Sequence, residues 1–455
     1  MKKTGTSLVL TLLITALLAT PFSAVNTVIS PVDQNCEQHY VDLNGGWLEE
    51  REGIKILHLN GSYYDMGYQH GFLLKEEIRE SMRAQLAFFK DLDFPYERIM
   101  EVWEIMDDYL PHEYKEEMQG MADGAELSFE DVSVINTIPA IFNLAYENAC
   151  SVVSLWGDAT ADGKLLHVRS FDWELNISDP ETGMSLQENI VLIVRTPKVG
   201  YASLSITVFS GAISSWDGVN EKGIVVGEDS CMTWDTTLHG ISPAFRMRMV
   251  LDSASTVYQA IDILTSNRTC GTNFVVSDAN LPIGYALEQT ANISYVGKWD
   301  DPVEGKDPFW KIKDVVRRAP DYLDPACAAV QFDRPRYDPS GLIGFLYLRY
   351  GGSWMFMRWQ HYCALSDQIE RYYGRLDVNM AMTALRKVYT GMSNLLWYWW
   401  INIRHFELLA PSLCQWVVCP KTGEMAISIA RPDSSAFIEP VHYFNFFELI
   451  EADPP

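Results

Sequence analysis

Basic residues are scarce in this sequence: 35 Lys and Arg stand against 60 Asp and Glu, which gives a formal net charge of −25 at pH 7. A protein that binds nucleic acid needs a basic surface, because the phosphate backbone is an array of negative charges. Anionic lipid headgroups attract the same kind of basic surface. The charge balance therefore excludes a nucleic-acid-binding role and disfavours docking on an anionic membrane.

Long apolar runs are missing beyond the first 24 residues. A membrane-spanning helix needs about 20 consecutive apolar residues, and the aromatic stretch 395–403 (LLWYWWINI) is about half that long. Residues 1–24 place a pair of lysines before the apolar run 8–19 and end in small residues, which is typical of a secretory signal peptide. We expect this segment to be removed and the mature protein to be secreted without a membrane span. A retained N-terminal anchor is the alternative.

Sequence spacings typical of metal or serine chemistry are missing as well. The cysteines form no CxxC pair, and no HExxH pattern offers zinc ligands. No GxSxG motif follows a predicted strand, which disfavours a serine hydrolase with a nucleophile elbow. We therefore expect no metal and no organic cofactor.

All eight cysteines follow the proposed signal peptide, and an oxidising compartment would permit disulfides among them. If one cysteine is catalytic, at most three disulfides can form and one thiol is left over. Cys414 and Cys419 flank a short apolar stretch and are candidates for a local or cross-strand disulfide.

Two kinds of pattern divide the mature chain. From Ser62 to about residue 149, apolar residues recur at three- and four-residue spacing, which predicts a block of helices. From Cys150 onward, short β-rich runs are separated by Gly, Pro, Asn and Asp, with helical stretches near 243–265 and 378–389. Runs of strands and separate runs of helices predict an α+β layered fold.

Cys150 stands at the boundary, at the first position of the first β-rich run (CSVVSLWG). It is either a buried structural thiol or a nucleophile that a cut would expose. A cut before it would leave one residue with both a thiol and a free α-amine. An α-amine with a pKa of roughly 7.7–8 is a general base, so nucleophile and base would come from the same residue.

Arg169 and Asp172 lie at the end of the next β-rich run (KLLHVRSF). A cation beside a sulfur lowers the pKa of the thiol, and a carboxylate beside the new amine orients it. The alternative is that Arg169 and Asp172 form an ion pair with each other. His167 shares a strand face with Arg169, so it either reaches the same site or is a satisfied strand histidine.

Several motifs together resemble the acyl-CoA:6-aminopenicillanic acid acyltransferase family (the isopenicillin-N N-acyltransferase-like, autoproteolytic proteins), which is related to choloylglycine hydrolases and acid ceramidase among the N-terminal-nucleophile hydrolases. They follow one another in the family's order over about residues 60–447. The motifs are LNGSYYDMGYQHGFLL at 59–74, CSVV at 150–153, DGKLLHVRSFDW at 162–173, WDGVNEKGIVV at 216–226 and ALSDQIERYYGRL at 364–376.

The resemblance implies an αββα sandwich, in which two antiparallel sheets lie between helical layers. It also implies that the precursor cuts itself between Ala149 and Cys150. The products would be a helical prosegment or α chain (25–149) and a β chain (150–455) that remain associated.

The same resemblance implies roles for single residues. Cys150 would be nucleophile and base, and Arg169 and Asp172 would tune its thiolate and amine. Asn220 would donate to the oxyanion or to the substrate, and Arg371 would be a second cationic contact.

A later asparagine of the family pattern is replaced by Pro320 in VVRRAPDYLDP. Asn273, in GTNFVVSD, is the candidate for a substitute oxyanion donor.

We therefore expect an exported, self-processing cysteine amidohydrolase or acyltransferase that acts on a linear amide or N-acyl amine through a Cys150 thioester. Export disfavours acyl-CoA as a substrate, so hydrolysis is favoured over CoA-dependent transfer. A secreted binding protein that keeps the fold without catalysis is one alternative, supported by Pro320. A lipid acyl hydrolase of the same superfamily is another.

Overall fold

The computed structural model of the protein describes residues 43, 45–145, 150–306, 309–331, 353–390 and 411–454. Strands and helices follow one another in the runs that the sequence pattern predicts. The strands are β1 Trp47–Arg51, β2 Ile54–Gly61, β3 Ser151–Gly157, β4 Gly163–Asp172, β5 Val191–Pro197, β6 Ser203–Thr207, β7 Asp217–Asn220, β8 Ile224–Ser230, β9 Thr272–Asp278, β10 Ile283–Gln289, β11 Ser294–Gly297, β12 Val315–Arg318, β13 Ser412–Val418, β14 Glu424–Ile429 and β15 His442–Asn445.

The helices come mainly from the part of the chain before Cys150 and from two later stretches. The α-helices are α1 Tyr63–Leu73, α2 Lys75–Asp91, α3 Tyr96–Met106, α4 His112–Ala125, α5 Phe129–Ala145, α6 Pro243–Ser253, α7 Val257–Thr265, α8 Pro325–Ala329, α9 Ser353–Tyr372, α10 Val378–Thr390 and α11 Phe446–Ile450.

Two sheets pack face to face in the described part of the chain. One has nine strands in the order β1-β2-β5-β6-β7-β8-β9-β10-β11, and the other has six in the order β12-β3-β4-β13-β14-β15. Gly227 of β8 approaches β3 so closely that an added Cβ would lie 3.0 Å from the Val152 side chain. At Gly284 of β10, an added Cβ would lie 2.9 Å from the Trp156 ring. The small residues let the sheets come together above β3.

A helical layer covers the outer face of each sheet. Helices α6 and α7 pack on the nine-stranded sheet, where Leu264 and Phe274 belong to one apolar cluster. Helices α9 and α10 pack on the six-stranded sheet, where Leu385 and Val417 belong to another. This helix–sheet–sheet–helix order confirms the predicted α+β sandwich.

The nine-stranded sheet differs from the predicted all-antiparallel arrangement. Strands β2 and β5 are parallel, with Ile56 opposite Leu192. The helices α1 to α5 and the hairpin β3–β4 lie between these two strands in sequence, and a parallel pair requires such a long connection. The hairpin β1–β2 also shows that the segment before Cys150 is not wholly helical.

Helices α1 and α4 pack in backbone contact. A Cβ added to Gly67 of α1 would lie 1.9 Å from the carbonyl oxygen of Glu117, and one added to Gly120 of α4 would lie 2.1 Å from the carbonyl oxygen of Tyr64. Any side chain at these two positions would force the helices apart. The glycines therefore fix the geometry of the helical block before Cys150.

The predicted disulfide between Cys414 and Cys419 is wrong. Cys414 is the third residue of β13 and Cys419 directly follows the strand, so their Cα atoms are about 16 Å apart at 3.3 Å per residue. A disulfide requires Cα atoms within about 7 Å. Cys414 packs in the main apolar core, whereas Cys419 packs in the cluster that includes α10.

Some predicted features fall outside the described residues, namely the signal segment 1–24 and Ala149. Within the described ranges, no helix combines the length and the apolar character that crossing a membrane requires.

Candidate active site

Cys150 directly precedes β3, and its thiol is buried. Strand β3 pairs with the last residues of β4, with Val152 opposite Arg169. This register puts the thiol beside the end of β4, which carries both Arg169 and Asp172. The charges of these two residues and of Asp229 act on the thiol, and the backbone N–H of Asp172 donates to the sulfur.

Arg169 points from β4 into the space between the sheets. Its Nε lies 3.4 Å from Oδ2 of Asp217, on β7 of the opposite sheet. Its guanidinium carbon lies 5.3 Å from the centre of the Phe171 ring. Burial opposes the positive charge, but Cys150, Asp217 and Asp229 together raise the pKa of Arg169, so the group stays a cation.

Asp172 points to the other face of β4, toward α10, because side chains alternate along a strand. The hydroxyl groups of Tyr389 and Ser170 each donate to its carboxylate at 2.7 Å. The Nδ1 atom of His361 lies 3.7 Å away from it. Burial raises the pKa of Asp172 to about 6, and the two hydrogen bonds and Arg169 limit the shift. The carboxyl group therefore changes charge in mildly acidic solution.

The surroundings of the Cys150 thiol hold it in its protonated form. Burial raises the pKa of Cys150 to about 12, and the charge of Arg169 opposes this only in part. A protonated thiol is a poor nucleophile. Helix α5 helps to close the site, because the Phe142 ring packs 4.6 Å from Trp173 and 6.2 Å from Phe171.

The structure does not leave Asn220 free for an oxyanion. Its Nδ2 donates to the carbonyl oxygens of Leu251 at 3.1 Å and Ala254 at 2.8 Å. Its Oδ1 accepts from the backbone N–H groups of Lys222 and Ile224. The amide thus closes the turn between β7 and β8 and ties it to the end of α6, which corrects the role predicted for it.

Asn273 and Arg371 do not fill their predicted roles either. Asn273 lies opposite Asp229 on the neighbouring strand, but its Nδ2 donates to the carbonyl oxygens of Ala319 at 3.0 Å and Asp321 at 3.1 Å. Arg371 is exposed near the end of α9, so it is not part of the buried site. Both predictions rested on the order of motifs in the sequence, which does not show which groups a side chain contacts in the fold.

Two carboxyl groups that the sequence analysis missed lie at the site. Asp217 contacts Arg169, and Asp229 acts on both the thiol and Arg169. Both residues are buried on strands of the nine-stranded sheet. Carboxyl groups are seldom buried without a partner. An aspartate within each of the β-rich runs WDGVN and GIVVGED was therefore the sequence feature that could have indicated a functional carboxyl group.

His167 lies between Ser154 and Asp217, and within the described residues only its Nδ1 atom has a hydrogen-bond partner. Its Nδ1 lies 3.0 Å from the Ser154 hydroxyl, and its Nε2 lies 3.4 Å from Oδ1 of Asp217. All three side chains are buried between the sheets. A serine hydrolase needs its serine where substrate can reach it, and Ser154 is buried. Ser154 and His167 therefore help to position Asp217 and do not form a serine-hydrolase site.

A cavity of about 620 Å³ lies between α2 and the segment that follows Asp172. The Phe88 ring packs 5.7 Å from Trp173, the residue next to Asp172. The segment is fastened to α2 by Arg83, whose Nη2 lies 2.6 Å from Asp179. The lining combines apolar residues with polar ones: Ala84, Ala87, Phe88, Leu92 and Ile177, and Asp91, Glu174, Asn176 and Ser178.

Residues 160–294 match the model of the family described as acyl-coenzyme A:6-aminopenicillanic acid acyl-transferase. The match confirms the resemblance predicted from the motifs. It includes Arg169, Asp172 and Asp229, and it begins after Cys150.

Two curated proteins are similar to the chain over about half of its length. An uncharacterized protein of Archaeoglobus fulgidus is 28% identical over 268 residues, which cover 52% of this chain and 42% of that protein. Protein dcd1B of Dictyostelium discoideum is 26% identical over 291 residues, which cover 57% of this chain and 55% of that protein. The chain thus spans about half the length of the curated relatives it matches.

Similar solved structures include penicillin V acylase from Agrobacterium tumefaciens, at 14% identity and a TM-score of 0.37, covering 66% of this chain and 87% of that one. A variant of conjugated bile acid hydrolase from Clostridium perfringens matches at 14% identity and a TM-score of 0.40, covering 66% of this chain and 94% of that one.

Proposed function

We propose that this chain, whose residues 160–294 match the acyl-coenzyme A:6-aminopenicillanic acid acyl-transferase family, is a self-processing amidase or acyltransferase with Cys150 as its N-terminal nucleophile. The observation that carries the proposal is the meeting of Cys150, Arg169 and Asp172 where β3 pairs with the end of β4. A buried thiol, a cation and a carboxyl group with a raised pKa are suited to a cysteine that uses its own amine as base.

The proposed reaction begins when water hydrolyses the peptide bond before Cys150, which gives a carboxylate on one chain and a free α-amine on Cys150. The freed α-amine takes the proton of the thiol, Arg169 stabilises the thiolate, and Asp172 stabilises the ammonium group. The thiolate then adds to the acyl carbonyl of the substrate. The amine product leaves with the proton that the α-amine holds, and water or a second amine takes the acyl group from the thioester.

The substrate that we propose is a linear amide or N-acyl amine with an apolar acyl group. The cavity beside α2 supports this, because five of its lining residues are apolar and its Phe88 packs against Trp173. Asp91 and Glu174 also line it, and their charges disfavour a substrate with an anionic amine portion. Hydrolysis is favoured over CoA-dependent transfer, since we also propose that the protein is exported after removal of residues 1–24.

The cut is tested by denaturing mass spectrometry of the purified protein. We expect two chains from the wild type, with the second beginning at Cys150, and one intact chain from Cys150→Ala. Cys231→Ala is the matched control, since Cys231 is also a buried thiol, and it should be cut like the wild type. An intact wild-type chain with a native fold would overturn the self-processing proposal.

The chemistry is tested with a panel of N-acyl amines, N-acyl amino acids, lactams and lysophospholipids. We expect turnover of an N-acyl amine and a mass increase of one acyl group on the chain that begins with Cys150. Iodoacetamide should label Cys150 faster than the other cysteines and abolish turnover. Turnover of lysophospholipids alone would favour a lipid acyl hydrolase, and no acylation at all would favour a binding protein.

A further inference from the structure

The proposed mechanism needs a donor for the negative charge that develops on the substrate's carbonyl oxygen. Both amide candidates are engaged: the Nδ2 group of Asn220 donates to two carbonyl oxygens of the chain, and so does that of Asn273. An oxyanion is usually stabilised by donors placed in advance. Among the described residues, Asp229 is a further buried carboxyl group that lies close enough to the thiol and to Arg169 to interact electrostatically with both.

The strand geometry directs Asp229 toward the thiol. Gly227 faces Val152 across the two sheets, and Asp229 lies two residues further along β8, on the same face. Cys150 lies two residues before Val152, so it shares the face of Val152. Asp229 and Cys150 therefore extend the same contact between the sheets.

The Asp229 carboxyl group is fully buried, and neither of its oxygen atoms has a hydrogen-bond partner within the described residues. The adjacent carboxyl group of Glu228 is equally buried but accepts from Asn143 at 3.0 Å and from Thr272 at 3.2 Å. Leaving a buried polar group without a partner costs free energy. Such a group is explained if its partner is the substrate.

The surroundings of Asp229 favour its neutral form. Burial raises the pKa of Asp229 well above its usual range; Arg169 opposes the shift, and Glu228, Asp172 and Asp321 add to it. A neutral carboxyl group carries an O–H donor. Raised carboxyl pKa values of this kind occur where an acid must donate a hydrogen bond at neutral pH.

We propose that Asp229 is a catalytic residue whose carboxylic O–H donates a hydrogen bond to the substrate's carbonyl oxygen during the reaction at Cys150. This inference rests on the proposed function. As the S–C bond forms, the carbonyl π electrons move to the oxygen, and the Asp229 O–H stabilises that charge without giving up its proton. When the C–N bond breaks, the carbonyl double bond forms again and the amine leaves with the proton held by the α-amine.

The test compares Asp229→Asn and Asp229→Ala on an N-acyl aminocoumarin that the wild type hydrolyses. We expect Asp229→Ala to lower kcat by about 100- to 1000-fold with little change in KM, as for removal of one oxyanion donor. Asp229→Asn should keep kcat within about tenfold of the wild type, because its amide N–H replaces the O–H donor. Asp278→Asn, at a buried carboxyl group at the end of β9 that lies away from Asp229, is the matched control and should keep kcat.

The pH profile separates a donor from a structural residue. The charged and titratable groups around Asp229 are Cys150, Arg169, Asp172, Glu228 and Asp321. The donor form of Asp229 exists below its pKa and is lost as the pH rises through it. The wild-type kcat should therefore fall at alkaline pH, and Asp229→Asn should lack this fall.

Three results would overturn the inference. The first is an unchanged kcat in Asp229→Ala. The second is an equal loss of kcat in Asp229→Ala and Asp229→Asn, which would mean that Asp229 acts as an anion. The third is a fall of kcat at alkaline pH that persists in Asp229→Asn. If Asp229→Ala does not fold, the pH profile of Asp229→Asn decides alone. If the wild type forms no acyl-enzyme on Cys150, the proposed function is overturned, and this inference with it. If Cys150 is acylated but any of the three results is found, only the role of Asp229 is overturned.

Discussion

The Nε atom of Arg169 lies 3.4 Å from a carboxylate oxygen of Asp217, although the two residues belong to different sheets. The other carboxylate oxygen of Asp217 lies 3.4 Å from Nε2 of His167, which is on the same strand as Arg169. Asp217 is thus in contact with two side chains of β4. The packing of one sheet on the other therefore sets where the cation lies beside Cys150.

If the proposed function holds, Asp217→Asn should lower the activity without removing any group that touches substrate. The amide keeps the shape but loses the charge that holds Arg169, and a small displacement of a reacting group lowers kcat by up to about 100-fold. We expect kcat to fall by about 10- to 100-fold, KM to change little, and iodoacetamide to label Cys150 of the processed enzyme more slowly. Asp162→Asn, at an exposed aspartate before β4, is the control. An unchanged labelling rate would contradict this role of Asp217.

The activity should rise with pH through the pKa of Asp172, which is about 6. Above that pH the group is a carboxylate and stabilises the ammonium form of the Cys150 amine; below it the group is neutral and does not. A kcat profile between pH 4 and 8 checks this expectation. Asp172→Asn, with no charge at any pH in this range, should lack the rise, and a rise that remains in this variant must come from another group.

Asp172 also makes the stability depend on pH. Its pKa in the folded chain is about 6, above the value of about 3.9 in an unfolded chain, so folding favours the protonated form. The corresponding stabilisation is complete below the unfolded pKa and is lost as the pH rises through about 6. The free energy of unfolding of the wild type, relative to Asp172→Asn, should fall by about 3 kcal/mol between pH 3 and pH 7. Urea unfolding of both proteins across this range measures the difference, and parallel curves would contradict the shifted pKa.

Glu117 should hold the parts before and after Cys150 together. This buried carboxylate of α4 lies 3.0 Å from Nη2 of Arg248 and 3.9 Å from Nε of Arg195. Glu117→Gln leaves Arg195 without an ion-pair partner among the described residues, whereas Arg248 keeps Asp252 at 2.9 Å. Breaking a buried ion pair costs about 3–5 kcal/mol. We expect a lower urea midpoint and, after the cut, separation of the two chains at lower urea on size exclusion. Glu116→Gln, at the exposed neighbouring position, is the control, and equal midpoints for the two variants would contradict this role.

The meeting of Cys150, Arg169 and Asp172 was predictable because the three residues belong to one hairpin. Strands β3 and β4 are adjacent in sequence, and strands joined by a short connection usually pair side by side. Once the β-rich runs are recognised, the start of one must lie near the end of the other. The helices before Cys150 were predictable in the same local way, from the three- and four-residue spacing of their apolar residues.

The roles of Asp217 and Asp229 were not predictable, because they depend on which strands face each other across two sheets. No local pattern in the sequence states that β8 lies over β3. The error at Asn220 has a similar cause, since an asparagine in a turn can serve either a ligand or the backbone of its own chain. In this structure the side-chain amide of Asn220 donates to the carbonyl oxygens of Leu251 and Ala254.

Under the proposed function, filling the cavity beside α2 should change which acyl groups are accepted as substrate. Ala87 is a half-buried lining residue, and Ala87→Trp would occupy part of the volume of about 620 Å³. We expect kcat/KM for a long-chain N-acyl aminocoumarin to fall at least tenfold, with little change for the N-acetyl analogue, because only the long chain needs the filled space. Lys90→Trp, on the same helix but exposed and outside the lining, adds an equal side chain and should leave the ratio of the two substrates unchanged. Equal losses on both substrates in Ala87→Trp would place acyl recognition elsewhere.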